Sequence, residues 1–511
     1  MAIKPDIQRR LLILWALALA FFQFSENTAD PDLWAHAMFG EQLLRSGHVQ
    51  KTEIFSWTAF GQPFVNHEVL AEAALGGAHA LGGGSGILLL KMLVGFLTFG
   101  VALRLGGSAL AVSRRPIAWL VGALAVVEIS FGFAARPQIF TALGLALEFW
   151  CLRQIYLGKI RWAAALPALF FLWINTHGGV LAGLALLFAA AAANTLQKRG
   201  SPLLLWLVSL ICAATLLLNP WGFELPRSIV EADLWNRSAI QEWRATPLGW
   251  DHAAVFVLLA LALISFCFSR RPRAWWEIAM CAVLGLLAIR TVRHTPLFCI
   301  AALSFVPPHL ADVLDRAGAR LAAWRALYLS PLTSVFFVLT AAAMLVCSFT
   351  LRKEFPLTME VPRREYPLAA IQFIRGHDLR GNALMFFDWG ELCLWELPHV
   401  AVSMDGRMDT CYSHELFEEH WKFYNGLSVN TNILDLDRAD LALLPANLAG
   451  AAALAARPGW QAVYVDSLAV VLAHNPKRFP GLPRGAWPVH GPLSATVGSA
   501  PFPSAPSARV L

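Results

Sequence analysis

Apolar and polar positions fall in long blocks along this chain, not in short alternation. Eleven apolar runs lie near residues 11–24, 86–104, 117–134, 138–156, 162–175, 179–196, 202–218, 252–269, 275–290, 296–312 and 329–350. Most approach the length that spans ~30 Å of hydrocarbon at ~1.5 Å per helical residue. The pattern predicts about eleven transmembrane helices. The weakest are 162–175, which is short, and 296–312, which carries Pro307 and Pro308. The first run follows Lys4, Arg9 and Arg10, and no small-residue cleavage site follows it, so it reads as an uncleaved first span.

The connections alternate in character. One set holds Arg104, Arg114 and Arg115; Arg153, Lys159 and Arg161; Lys198 and Arg199; Arg270, Arg271 and Arg273; and Arg316, Arg320 and Arg325. The excess of Lys and Arg places this set, with the amino terminus, in the cytoplasm. The opposite set contains residues 25–85, Arg136, Asn175 to Gly179, residues 219–251 and Arg290 to His294. It carries most of the His, Glu, Asn and Trp of the connections. That asymmetry points to a site on the outer side.

Beyond Cys347 the pattern changes. Residues 366–375 read as an amphipathic helix, and 382–387, 400–404, 441–444 and 462–465 as strands. The expected organisation is a mainly α, polytopic membrane bundle over 1–350, whose first outer loop, 25–85, carries two juxtamembrane helices. A small extracytoplasmic α/β domain over 351–490 and a flexible tail over 491–511 follow.

Composition agrees with a membrane protein. The chain is 57% hydrophobic and only 14% charged, with a mean hydropathy of +0.55, whereas soluble domains are about a quarter charged. A net charge of +6 without a run of like charges argues against nucleic-acid binding. Cys151, Cys212, Cys267, Cys281, Cys299 and Cys347 fall in or beside apolar runs as small hydrophobes. Cys393 and Cys411 lie in the polar region, where a disulfide forms only if that region meets an oxidising space.

The outer connections hold the candidate chemistry. Asp30 reads as an N-cap ahead of Pro31. Asp32 and His36 are four residues apart and share a helix face. A carboxylate beside an imidazole suits a general base, although such a pair is more often structural when it stands alone. Glu68 and Glu72 are also four apart. His67 and Glu68 are adjacent and are expected to diverge, which argues against a zinc pair, and HExxH is absent. Arg136, Arg290 and Arg293, with His294, lie at outer helix ends, where a guanidinium either binds phosphate or contacts lipid headgroups. Asn175 and His177 sit in a glycine-containing turn. Glu242 adjoins Trp243, which reads as an interfacial anchor or as part of the site.

With these residues in place, the chain resembles the GT-C-type membrane glycosyltransferases, and within them a group of bacterial multi-spanning proteins. The resemblance rests on Asp-x-Asp-Leu-Trp-x-His at 30–36, Phe-Ser-x-Thr at 55–58, His-Glu at 67–68, Arg-Pro-Gln at 136–138 and Asn-x-His-Gly at 175–178. Asn-Pro-Trp-Gly at 219–222, Glu-Trp at 242–243, Arg-x-x-Arg-His at 290–294, Asp388-Trp-Gly390 and Asp405-Gly-Arg407 extend it across most of the chain. Ala35 stands where the group often has a second Trp.

The resemblance implies an inverting transferase in the bacterial cytoplasmic membrane, acting on its outer face. It would take a sugar from a polyprenyl-phosphate donor to a lipid, glycan or protein acceptor. Asp32 would be the base. Arg290 and Arg293, with Arg136, would hold the phosphate. His36, His67 and Glu68 would orient the acceptor or tune Asp32, and Trp34 and Trp57 would stack on sugar. Asp30, Asn175, His177, Glu242 and His294 complete the expected substrate-binding set. No nucleotide-sugar site is needed. A divalent cation near Asp30, Asp32 and Glu68 is compatible with this chemistry but is not required by it. A transporter would place ionisable groups in mid-span. A non-catalytic scaffold of an envelope assembly is the other alternative.

Overall fold

The computed structural model describes residues 3–199, 201–235, 240–318, 326–352, 356–475, 479, 482 and 498–504. Arg320, Arg325 and the tail positions 491–497 and 505–511 lie outside the described residues. The chain divides into two compact units: Met1–Glu26, Leu88–Pro226 and Asn236–Leu357; and Asn27–Ile87, Arg227–Trp235 and Thr358–Leu511.

The helices follow the apolar runs. They are α1 (Pro5–Phe24), α2 (Leu33–Ser46), α3 (Val69–Ser108), α4 (Arg115–Phe131), α5 (Gln138–Tyr156), α6 (Ala165–Ile174), α7 (Val180–Gln197), α8 (Pro202–Thr215), α9 (Glu224–Asp233), α10 (Ala253–Phe268), α11 (Trp275–Arg290) and α12 (Thr295–Ala317), followed by Pro331–Thr350. Each of the eleven expected spans contains a helix. Six stretches of the described residues are long and apolar enough to cross a membrane: Pro5–Phe24, Val69–Ser108, Val180–Gln197, Trp250–Phe268, Val292–Ala317 and Pro331–Thr350. The expected eleven are not reached on that measure. Helices α4, α6, α8 and α11 are 17, 10, 14 and 16 residues long, and α5 carries Glu148 and Arg153. The protein is a multi-pass membrane protein.

In the first unit, α12 is the central helix and packs on α4, α5, α10 and α11. It runs through Pro307 and Pro308 without ending. Trp173 of α6 wedges between α5 and α7, because Gly144 and Gly183 leave room for its ring. Two polar side-chain pairs cross this unit. Arg153 reaches Glu277 at 2.9 Å and His252 reaches Glu128 at 3.3 Å.

The second unit is built on five strands in the order β3-β2-β4-β6-β5, formed by β2 (Gly381–Met385), β3 (Val400–Val402), β4 (Leu441–Pro445), β5 (Trp460–Val465) and β6 (Ala469–His474). Strands β2, β3 and β4 run parallel, while β6 is antiparallel to both β4 and β5. The first loop belongs to this sheet: Val402 N–H donates to Phe55 C=O, and Trp57 N–H to Val402 C=O, both at 3.1 Å. Strand β1 (Glu360–Pro362) pairs with β7 (Ser499–Pro501). Part of the expected flexible tail is therefore a strand. Cys393 and Cys411 are both free and buried, so the disulfide considered for them does not form. The Cys393 thiol instead faces Met385 Sδ at 3.5 Å.

Candidate functional site

The start of α2 differs from the sequence expectation. The helix begins at Leu33 with Asp32 as its N-cap, and the Asp32 carboxylate makes no capping bond. Asp30 is not the cap. Its Oδ1 accepts the Asp32 N–H at 3.1 Å, closing a side-chain turn around Pro31. The Asp32 side chain is nearly buried and lies against Gly406, where an added Cβ would collide with Asp32 Oδ1 and Glu391 Oε1. Glu391 Oε2 accepts the Ala35 N–H at 3.2 Å. Two carboxylates thus flank one glycine backbone.

One turn further, His36 is 7% exposed. Its Nδ1 lies 3.7 Å from Glu72 Oε1 and 3.8 Å from Glu68 Oε2, and it makes no hydrogen bond. Burial pulls the His36 pKa down, but Glu72, Glu68 and then Asp30 outweigh it and hold the pKa above its ordinary value. Glu72 is fixed from the other side, where Asn66 Nδ2 donates to its Oε2 at 2.7 Å. The sequence expected His67 and Glu68 to diverge. Both precede the first residue of α3, and His67 Nε2 lies 3.6 Å from Glu68 Oε1. Sequence reasoning placed Glu72 beside Glu68 but did not include it among the site residues. The i, i+4 spacing was the available signal.

A buried network holds the first loop in the sheet. Glu53 Oε1 accepts the N–H groups of Phe55 and Ser56, each at 2.6 Å, and its Oε2 pairs with Arg407. Arg407 also pairs with Asp405 at 2.7 Å. Its Cζ lies 5.5–5.6 Å from the rings of Phe39, Phe55 and Phe64. Burial works against this charge, but Asp405 and Glu53 hold the Arg407 pKa well above its usual value, so the guanidinium stays ionised. The Asp405-Gly-Arg407 and Phe-Ser-x-Thr patterns are thus explained by packing and pairing.

The two tryptophans expected to stack on sugar are core residues. Trp34 is fully buried, donates to Pro503 C=O at 3.1 Å and packs on Tyr366 and Phe502. Trp57 is buried and donates to Ala383 C=O at 3.2 Å. Neither presents a free ring face of the kind a sugar needs.

The first unit has its own cleft, of about 130 Å³, whose polar lining comes from Gln138, Thr141, His177, Glu242, Arg293 and His294. Gly179 N–H donates to His177 Nδ1 at 3.0 Å, and Thr141 Oγ lies 2.8 Å from the same atom. Nδ1 is therefore the bare nitrogen, and Nε2 carries the proton. Glu242 joins the cations: Arg293 Nη1 donates to its Oε1 at 2.8 Å, and Arg136 Nη1 lies 3.9 Å from its Oε2. The Arg293 guanidinium also sits 4.9 Å from the Trp243 ring. His294 bonds the Thr291 hydroxyl. Arg290 is exposed at the end of α11 and is not among the lining residues of the cleft, although its charge, like that of Arg293, acts on His294. Asn175 is a structural tie, donating to Phe171 C=O at 2.9 Å and Leu218 C=O at 3.0 Å.

Comparison with solved structures identifies the fold. The oligosaccharyltransferase of Archaeoglobus fulgidus superposes with a TM-score of 0.54 at 11% identity, over 86% of this chain and 69% of that one. The same enzyme tethered to an acceptor peptide gives 0.54 at 12% identity, over 97% and 75%. ArnT from Cupriavidus metallidurans gives 0.51 at 17% identity, over 91% and 97%. The chain has the fold of the GT-C glycosyltransferases. No protein-family model and no curated protein matches the sequence.

Proposed function

We propose that the protein is an inverting glycosyltransferase of the bacterial cytoplasmic membrane, moving a sugar from a polyprenyl-phosphate donor to an acceptor hydroxyl on the outer face. A fold by itself does not fix a reaction. The observation that carries the reading is the group of ionisable side chains in the first loop, Asp30, Asp32, His36, Glu68 and Glu72, in a chain that follows ArnT over nearly its whole length.

In this reading the acceptor oxygen attacks the anomeric carbon as the bond to the phosphate oxygen breaks. The phosphate leaves with the bonding electrons, and the acceptor proton passes to Asp32. Attack opposite the leaving group inverts the centre. Within the first unit, Arg293 and Arg136 flank Glu242 and carry positive charge of the kind that binds a phosphate. His177 offers a neutral N–H donor in the same cleft.

The test compares wild type with Asp32→Asn and Asp30→Asn in matched membranes, with lipid-linked sugars and envelope glycans read by mass spectrometry. Loss of one sugar-bearing product with accumulation of its lipid-linked donor is the expected result for Asp32→Asn. If neither variant, although folded, changes any glycan that a deletion removes, the base assignment fails. If the deletion removes none, the transferase reading fails.

A further inference from the structure

We propose that His36, Glu68 and Glu72 are the protein ligands of a divalent cation of the zinc class. One atom from each residue comes together, the three lying within 4.8 Å of one another. The 3.7 and 3.8 Å separations between His36 Nδ1 and the two carboxylates are too long for hydrogen bonds. Ligands of a tetrahedral zinc ion, at bonds of roughly 2.0–2.1 Å, stand about 3.3 Å apart. An ion here needs the three groups to close by only a fraction of an ångström to about 1.5 Å.

The imidazole points to the same conclusion. His36 is nine-tenths buried, and its Nδ1 has no hydrogen-bond partner while aimed at two carboxylates. Leaving such a nitrogen unsatisfied costs about 1–3 kcal/mol, and a metal removes that cost. Asn66 supplies the orienting bond typical of metal-bound carboxylates. By holding Glu72 Oε2 at 2.7 Å, it turns Oε1 toward His36. One imidazole with two carboxylates favours zinc over the hard cations, which prefer oxygen alone. Three protein ligands leave a fourth position for water or a substrate oxygen.

The inference deepens the transferase reading, since His36 belongs to the same first-loop group, but its test does not depend on sugar transfer. With Nδ1 on a metal, His36 is no longer a proton acceptor, and the base must be one of the neighbouring aspartates.

The experiment uses the full-length protein in detergent, stripped with chelator. Zn2+ is titrated by calorimetry, bound zinc is counted by mass spectrometry, and Co2+ is added separately for its visible bands. One equivalent is expected, with four-coordinate Co2+ bands. Glu68→Gln, at a half-buried position, and His36→Gln each abolish the bands and weaken Zn2+ binding at least about tenfold, and Asn66→Ala weakens it about tenfold. His48→Gln, at an exposed position in the same loop, changes neither. Absence of stoichiometric zinc in folded wild type, or unchanged binding in folded Glu68→Gln, overturns the proposal and leaves His36 as a buried side chain between two carboxyl groups. Transfer that persists in metal-free protein would remove a catalytic role for the ion while leaving the site and the transferase reading standing.

Discussion

Glu53 is a residue whose loss the structure makes costly. It is fully buried, accepts two backbone N–H groups at 2.6 Å and pairs with Arg407, which is itself buried. Glu53→Ala removes one of the two carboxylates that neutralise Arg407 and strands the donors of Phe55 and Ser56. Breaking a buried pair by deleting one partner costs about 3–5 kcal/mol. Asp405 keeps its bonds to the guanidinium at 2.7–2.8 Å, which argues for the lower half of that range. At about 1.4 kcal/mol per decade, this is roughly a 10²- to 10³-fold rise in local opening. Hydrogen exchange of peptides covering 53–65 and 402–412 in the full-length protein reads it directly, because Val65 N–H bonds Thr410 C=O and Val402 N–H bonds Phe55 C=O across the same contact. Glu53→Ala/Arg407→Met should cost less than the sum of the two single changes. Exchange within threefold of wild type in Glu53→Ala would refute the reasoning.

Two further outcomes follow from geometry. Arg293→Lys keeps the charge in the first-unit cleft but loses the planar fork over Trp243 and its fixed bond to Glu242. Donor turnover should fall by about tenfold or more in membranes with unchanged protein level, whereas Arg290→Lys should leave turnover within about twofold. His420, in the helix His414–Tyr424, donates Nδ1–H to Leu416 C=O at 2.9 Å, and burial pushes its pKa down to about 4. The unfolded chain binds that proton near pH 6.5. Stability is therefore complete above that pH and falls as pH drops toward 4, by up to about 3 kcal/mol. Thermal unfolding between pH 7 and 4.5 should show a shallower slope in His420→Gln.

Much of this architecture was legible because a bilayer forces its signature on the sequence. Each apolar run became a helix, since unpaired backbone has no place in hydrocarbon. Length and composition do not confirm the count of eleven, because helices such as α6, of 10 residues, and α8, of 14, are apolar but short. Four of the five strands of the sheet were visible as short apolar runs, yet β1 and β7 are three residues each and pair across 137 positions of sequence, which leaves no local pattern to read. The chemistry-bearing residues were visible by type, and their roles depended on contacts that spacing does not encode. Trp34 and Trp57 have the composition of sugar platforms, but Tyr366 and Phe502 cover the first and a bond to Ala383 holds the second in the core. Asp32, not Asp30, stands at the N-cap position of α2, because the Asp30 side chain closes its own turn before the helix starts, and the Asp32 carboxylate makes no capping bond. The divergence expected of His67 and Glu68 assumed helical geometry one turn too early. Glu68, just ahead of α3, and Glu72, inside it, both reach His36. Glu68 C=O still accepts the Glu72 N–H at 2.8 Å, so the i, i+4 spacing legible in the sequence is what brings both carboxyl groups to His36, while the partner on the other helix carried no local signal.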